Sequence, residues 1–226
     1  MEKNRAFVIT ADIIQSKQIN DLQKGIDAKL EKINTEHKED LYTAFSNLRG
    51  DELQAIISKD KFTTIFPVLR SLKRHMGDYS LRIGIGFGEI TILNKVNKEN
   101  YGSWGFNGDA FHKARAALDT LEVKKRTTIH PTTQFNLFEE KIKNNILNVT
   151  YYQVDKILSE WDDEMWTIVE YLEQGYTHEE ITASINHKKN SNRTRSNYTI
   201  KINRSDWYWI QAVEKHFTEL IKETVV

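Results

Sequence analysis

The amino-acid pattern predicts an α+β protein, a ferredoxin-like βαββαβ unit followed by an all-α, helix-turn-helix-like unit. Three observations predict it. Residues 5–14 are a β-branched apolar run, and residues 79–92 alternate apolar side chains with arginine and glycine. After about residue 150 the chain reads as helix after helix, with cap residues between them. No Pro/Gly-rich linker marks the change, so units of 1–150 and 151–226 rest on the shift of pattern alone.

The elements follow in order. Residues 5–14 suit a buried strand. Ile19, Leu22, Ile26, Leu30 and Ile33 recur at helical spacing and predict an amphipathic helix over 19–36. Residues 41–48 and 53–58 are short apolar stretches around Arg49-Gly50-Asp51-Glu52, a hairpin turn. A helix over 60–76 must begin or kink near Pro67. The strand at 79–92 has one face nearly bare, because Gly84, Gly86 and Gly88 leave room for close approach. A loop over 94–107, a helix over 109–121, a short strand at Arg126–His130 and a helix over 132–147 complete the unit. The order is that of an antiparallel sheet with helices on one face.

Composition bounds the function. With 226 residues, 39% hydrophobic and 28% charged, the chain is ordinary for a globular protein. The lack of cysteine excludes disulfides and thiolate metal sites. The formal net charge is zero, so affinity for nucleic acid would need a local patch. No segment reaches the ~20 apolar residues of a membrane span, and no secretory leader is evident. A cytoplasmic location is therefore expected.

The chemistry centres on Asp12 and Asp51. Asp12 ends the first strand, Asp51 tips the hairpin, and in this topology the two are neighbours at one sheet edge. Two facing carboxylates repel unless a cation such as magnesium is shared between them. A pair of such ions roughly 4 Å apart can clamp the oxygens of a phosphoryl transfer. Glu52 would point to the opposite face if the strand persists. The plainer alternative is a strand cap and a turn residue. Further along, Asn107-Gly108-Asp109 opens a helix carrying His112, Lys113 and Arg115. With Asp109 as N-cap, its free N–H groups and cations would make a phosphate-binding element. The plainer alternative is an amphipathic helix with Phe111, Ala114 and Leu118 inward.

Four stretches resemble the SatD family: Ala11–Lys17, Gly50–Gln54, Arg82–Ile90 and Gly108–Arg115, in that family's order and spacing. More remotely, the strand and hairpin plan is similar to the palm domain of class III nucleotidyl cyclases and diguanylate cyclases. That likeness implies that Asp12, the Ile13 carbonyl and Asp51 bind magnesium (or manganese) ions holding a nucleoside triphosphate. It counts Ser16, Gly50, Asp109, His112, Lys113 and Arg115 among the substrate contacts. Two departures are visible. Arg49 replaces the first hairpin glycine, and a helical Asn/Arg pair four residues apart would fall on His112 and Ala116 or, with Arg115 matched to the Arg, on Phe111 and Arg115. The resemblance thus implies nucleotide binding more than turnover.

The C-terminal residues have their own logic. A helix over Trp161–Glu173 is ended by Gly175, and Thr177 with Glu180 forms a capping box for a short helix through Ile185. Helices over 192–203 and 206–222 follow, the last with Trp207, Ile210, Val213, Phe217 and Leu220 inward. Lys188, Lys189, Arg193, Arg195, Lys201 and Arg204 fall in an acid-free stretch with Asn197. Such residues suit contacts to duplex DNA, and a homodimer would strengthen them through paired half-sites. The plainer alternative is a solvated basic loop. Two functions stay open: a magnesium-dependent nucleotidyl cyclase or nucleotidyltransferase, and a non-catalytic, nucleotide-sensing DNA-binding regulator. A third is a protein-pairing module with a vestigial site.

Overall fold

The computed structural model describes residues 4–16, 22–48, 50–92, 105–123 and 132–225. The chain divides into two compact units, Met1–Tyr152 with Phe217–Val226, and Gln153–His216. The first contains β1 (Asn4–Ile13), α1 (Leu22–Glu36), β2 (Thr43–Asn47), β3 (Glu52–Ser58), α2 (Ile65–His75) and β4 (Leu81–Ile92). After these come β5 (Phe106–Asn107), α3 (Asp109–Val123), β6 (Thr133–Asn136) and α4 (Lys141–Ser159) as far as Tyr152, the rest of that helix belonging to the second unit.

The sheet runs β2-β3-β1-β4-β5, and β6 also pairs with β4. All pairings are antiparallel except β4 with β6. The first four strands with α1 and α2 are therefore the predicted βαββαβ arrangement, with β1 central. Centrality explains the composition of β1, whose residues from Ala6 to Ala11 are all buried.

Helices cover both faces of the sheet, not the single face the sequence suggests. Ala6 and Val8 on β1 and Ile56 on β3 pack with Ala110 and Ala114 of α3. On the other face Phe66 of α2 meets Phe135 of β6 and Tyr151 of α4. The glycines of β4 decide this. A Cβ on Gly84 would run into the Ala114 carbonyl, and one on Gly86 into the Ala110 carbonyl and the Ala114 amide. The bare face is where α3 lies against the sheet backbone.

Other boundaries moved for identifiable reasons. Ile26, Leu30 and Ile33 are buried as their spacing predicts, while Ile19 lies outside the described residues. Pro67 sits in the first turn of α2, after a 3-10 segment at Lys59–Thr64, where its missing N–H costs nothing. The strand expected at Arg126–His130 lies outside the described residues. The helix expected over 132–147 is instead β6 followed by α4. Thr133 and Phe135 point into the core, and Asn144 and Asn148 of α4 bond the backbone of Phe135, Leu137 and Phe138. Within the stretch read as a loop over 94–107, Phe106 and Asn107 pair with β4.

The second unit holds α5 (Asp163–Glu173), α6 (His178–Lys189), α7 (Arg195–Arg204) and the first part of α8 (Trp207–Val225). Ile168, Ile181, Ile185, Tyr198 and Ile202 form its core. Asp162 caps α5, the Thr177–Glu180 capping box opens α6 as predicted, and a second box from Thr194 and Asn197 opens α7. Those caps place the starts of α5 and α7 two or three residues later than hydropathy alone suggests. In α8, Trp207, Ile210 and Phe217 are buried as expected, whereas Val213 and Leu220 are half-buried and Ile221 and Val225 are buried. Among the described residues no helix is long and apolar enough to cross a membrane.

Candidate functional site

Strand register builds the site. Asp12 on β1 lies opposite Glu52 on β3 and opposite Arg82 on β4. Even-numbered residues of β1 face α3, as the packing of Ala6 and Val8 shows. Thr10 on that face accepts a hydrogen bond from Gln54 at 3.0 Å. Asp12, Glu52 and Arg82 therefore share one face. Glu52, which the sequence turns away from its neighbour Asp51, thereby stands beside Asp12. The Arg82 guanidinium donates to the Asp12 carboxylate, and Arg115 reaches over from α3 to donate to Glu52 at 2.5 Å.

Asp51 joins them through the backbone. The Ile13 N–H donates to the Asp51 carbonyl at 3.1 Å, which ties the end of β1 to the hairpin. Beyond β1 the chain turns at Gln15, whose φ of 59° is uncommon for a residue other than glycine. That turn returns Ser16 to the hairpin, where its hydroxyl donates to the Asp51 carboxylate at 2.6 Å. Gly50 takes a φ of 84°, and the Asn47 side chain both accepts from its N–H and donates to its carbonyl. The hairpin is thus pinned from two sides, and Asp12, Ile13, Ser16, Gly50 and Asp51 are gathered at one sheet end.

The start of α3 is not gathered there. A Cβ on Gly88 would touch the Asp109 carboxylate, and Gly88 is opposite Ala6, six residues along β1 from Asp12. At strand spacing that is roughly 20 Å. Asp109 and its helix N-terminus therefore lie at the far end of the sheet from Asp12. Lys113 is held by Asp109 at 3.0 Å and Glu139 at 2.7 Å, and these carboxylates raise its pKa despite partial burial. His112 is exposed on the same first turns. Asp109 is also not the N-cap. Gly108 takes that position, since its carbonyl accepts from Phe111 and its φ of 136° excludes other residues. Of the α3 residues singled out from the sequence, Arg115 alone reaches the acidic end. Burial works against its charge, but Glu52, then Asp119 and Asp12, raise its pKa further.

The donor set suits a hard divalent cation. Asp12 and Asp51 offer carboxylate oxygens, and the Ile13 carbonyl is adjacent in sequence. Among the described residues no group of three or more His, Asp and Glu side chains converges to hold a metal alone. Magnesium does not need one, because it commonly takes one or two carboxylates and fills its octahedron with water and phosphate oxygens. Sequence reasoning missed Glu52 and Arg82 as members of the cluster. The usable signal was parity: Thr10 and Asp12, Glu52 and Gln54, and Arg82 are polar residues at alternate positions of three strands predicted to be adjacent.

The model of the SatD family matches residues 6–209, which is most of the chain. The chain belongs to the SatD family. No curated protein matches it. Among solved structures it is similar to the catalytic core of a rhodopsin-guanylyl cyclase with converted specificity, in complex with ATPalphaS. That match has 15% identity over 52% of this chain and 73% of the other, with a TM-score of 0.41. The adenylyl cyclase CyaB from P. aeruginosa matches at 14% identity over 53% and 72%, TM-score 0.40. The guanylate cyclase domain of RhGC from Catenaria anguillulae, in complex with GTP, matches at 18% over 52% and 74%, TM-score 0.36.

The SatD match extends through the second unit to residue 209, so the basic stretch of α6 and α7 is part of it. That stretch is acid-free in sequence but not in space. Glu164 on α5, only 8% exposed, accepts from Lys189, Arg193 and Lys201 at 2.8 to 3.0 Å. Lys201 also bonds Asp162, and Arg195 pairs with Glu179 of α6 at 2.8 Å. Asn197 is engaged in the Thr194 capping box. Lys188, Arg195 and Arg204 remain exposed. Burial of Glu164 works against its charge, but Lys201, Lys189 and Arg193 outweigh it and hold the pKa at about 2.

Proposed function

We propose that the first unit binds a nucleoside triphosphate with magnesium or manganese at the Asp12–Asp51 end of its sheet. The observation that carries this is the bond from the Ile13 N–H to the Asp51 carbonyl, which brings the strand end and the hairpin together. Asp12 and Asp51 would hold the cation with the Ile13 carbonyl. Bound there, the cation would neutralise phosphate charge, and Ser16 and Gly50 would line its approach. Arg115 is the phosphate contact this geometry favours; Asp109, His112 and Lys113, at the far end of the same sheet, are not. Nothing in the cluster supplies the Asn/Arg pair of the resemblance, so the reading favours binding over turnover, with cyclase or nucleotidyltransferase chemistry as the alternative.

The test is manganese and triphosphate binding to the full chain. Asp51→Asn should weaken both by about tenfold or more, since a charged ligand becomes neutral. Equal affinity in wild type and variant, or none in either, would remove the reading. Pyrophosphate release under the same conditions, lost in Asp51→Asn, would restore the catalytic alternative.

For the second unit we infer that Lys189, Arg193 and Lys201 serve chiefly to neutralise Glu164. A DNA-reading role, alone or in a homodimer, would fall to Lys188, Arg195 and Arg204. Fluorescence anisotropy with duplex DNA at low salt should show little binding and no effect of Arg195→Ala. Salt-dependent binding that Arg195→Ala weakens would instead support the regulator.

A further inference from the structure

We propose that Arg82 is a tethered counter-ion that competes with the divalent cation for Asp12, so that the site admits metal only when the guanidinium swings away. This rests on the reading that the site binds a metal nucleotide.

Arg82 and Asp12 are directly paired residues of adjacent antiparallel strands on the same face, so the sheet keeps them adjacent whichever rotamer the guanidinium takes. Their side chains are only 18% and 21% exposed, which keeps the pair poorly screened. The guanidinium bonds Oδ2 of the Asp12 carboxylate directly, an oxygen a cation would need.

The surroundings add to the competition. Glu52 is on the other side of Asp12 but is already matched by Arg115, which also feels Asp12. Asp51 is bonded by the neutral Ser16 hydroxyl, which a metal could displace without moving a charge. Of the two proposed metal ligands, Asp12 is thus the one bonded by a full cation, and Asp51 the one bonded by a neutral hydroxyl. A doubly charged ion entering beside it would sit within a few ångströms of Arg82. In a partly buried site that repulsion lowers affinity until the guanidinium leaves.

The experiment titrates manganese into the full chain and reads free ion by electron paramagnetic resonance. Arg82→Gln should bind about tenfold more tightly than wild type. Arg82→Lys, which keeps the charge, should stay near wild type. Unchanged or weaker binding by Arg82→Gln overturns the proposal, and if Asp51→Asn still weakens binding by about tenfold or more the metal reading survives. Absence of binding in every variant removes the metal reading itself. A second measurement needs no variant: the Arg82 Nε resonance of the wild-type chain should move as magnesium saturates the site. A resonance that stays put at saturation also overturns the proposal.

Discussion

Gly86→Ala is expected to cost the first unit about 3 kcal/mol or more, lowering Tm by roughly 10 °C. The added methyl has nowhere to go. It would meet the Ala110 carbonyl, the Ala114 amide and the Lys113 backbone, and none of these is the flexible end of a side chain. Relief requires α3 to lift off the sheet, which would separate Ala110 and Ala114 from Val8 and Ile56. Gly50→Ala is the matched control. A Cβ there meets nothing within 4 Å, so the cost is the left-handed φ alone, about 1–2 kcal/mol. Thermal unfolding by circular dichroism separates the two. Similar small losses in both variants would mean that α3 does not rest on the glycine face.

Glu164→Gln is expected to remove about 2–3 kcal/mol from the second unit at neutral pH and to flatten its acid dependence. The sign follows from the depressed pKa. With an ordinary value of 4.5 and a folded value of about 2, the ion pairs contribute fully above about pH 4.5. Their contribution is lost as the pH falls from there towards 2. The half-exposed Lys189 and Arg193 temper the magnitude. Burial also works against the charge of Glu36 in the first unit, but His75, Arg74 and Ser71 hold its pKa at about 2. The variant should therefore keep one acid transition while losing the other. Chemical denaturation at pH 3 and pH 7 measures both, and an unchanged difference between the two pH values in Glu164→Gln would refute the assignment.

The parts of this molecule legible in its sequence were those encoded locally. The β-branched run of β1, the alternation of β4, the spacing of Ile26, Leu30 and Ile33 and the Thr177–Glu180 box each carry their signal within a few residues. What escaped depends on partners distant in sequence. β6 is four residues long, and its support comes from Asn144 and Asn148, which read as ordinary helix residues. The face of Glu52 depends on the hairpin register, which hydropathy does not set. The acids that quench the basic stretch come from α5 and from the start of α6, so a window over 187–204 cannot see them. The remoteness of Asp109 from Asp12 follows only once α3 is known to start beside Gly88.

The alignment of Asp12 with Glu52 and Arg82 also bears on how the sheet finds its partners during folding. Shifting β1 by a single position against β3 and β4 would drive the aspartate into the packed interior, where Ile13 and Ala11 now sit, and strand the two opposing charges. A misaligned intermediate is thereby penalised at the same spot that is proposed to receive ligand. Neutralising that spot to probe function would also blunt the proofreading of strand alignment, so Asp12 variants are expected to refold more slowly or less faithfully than the wild type.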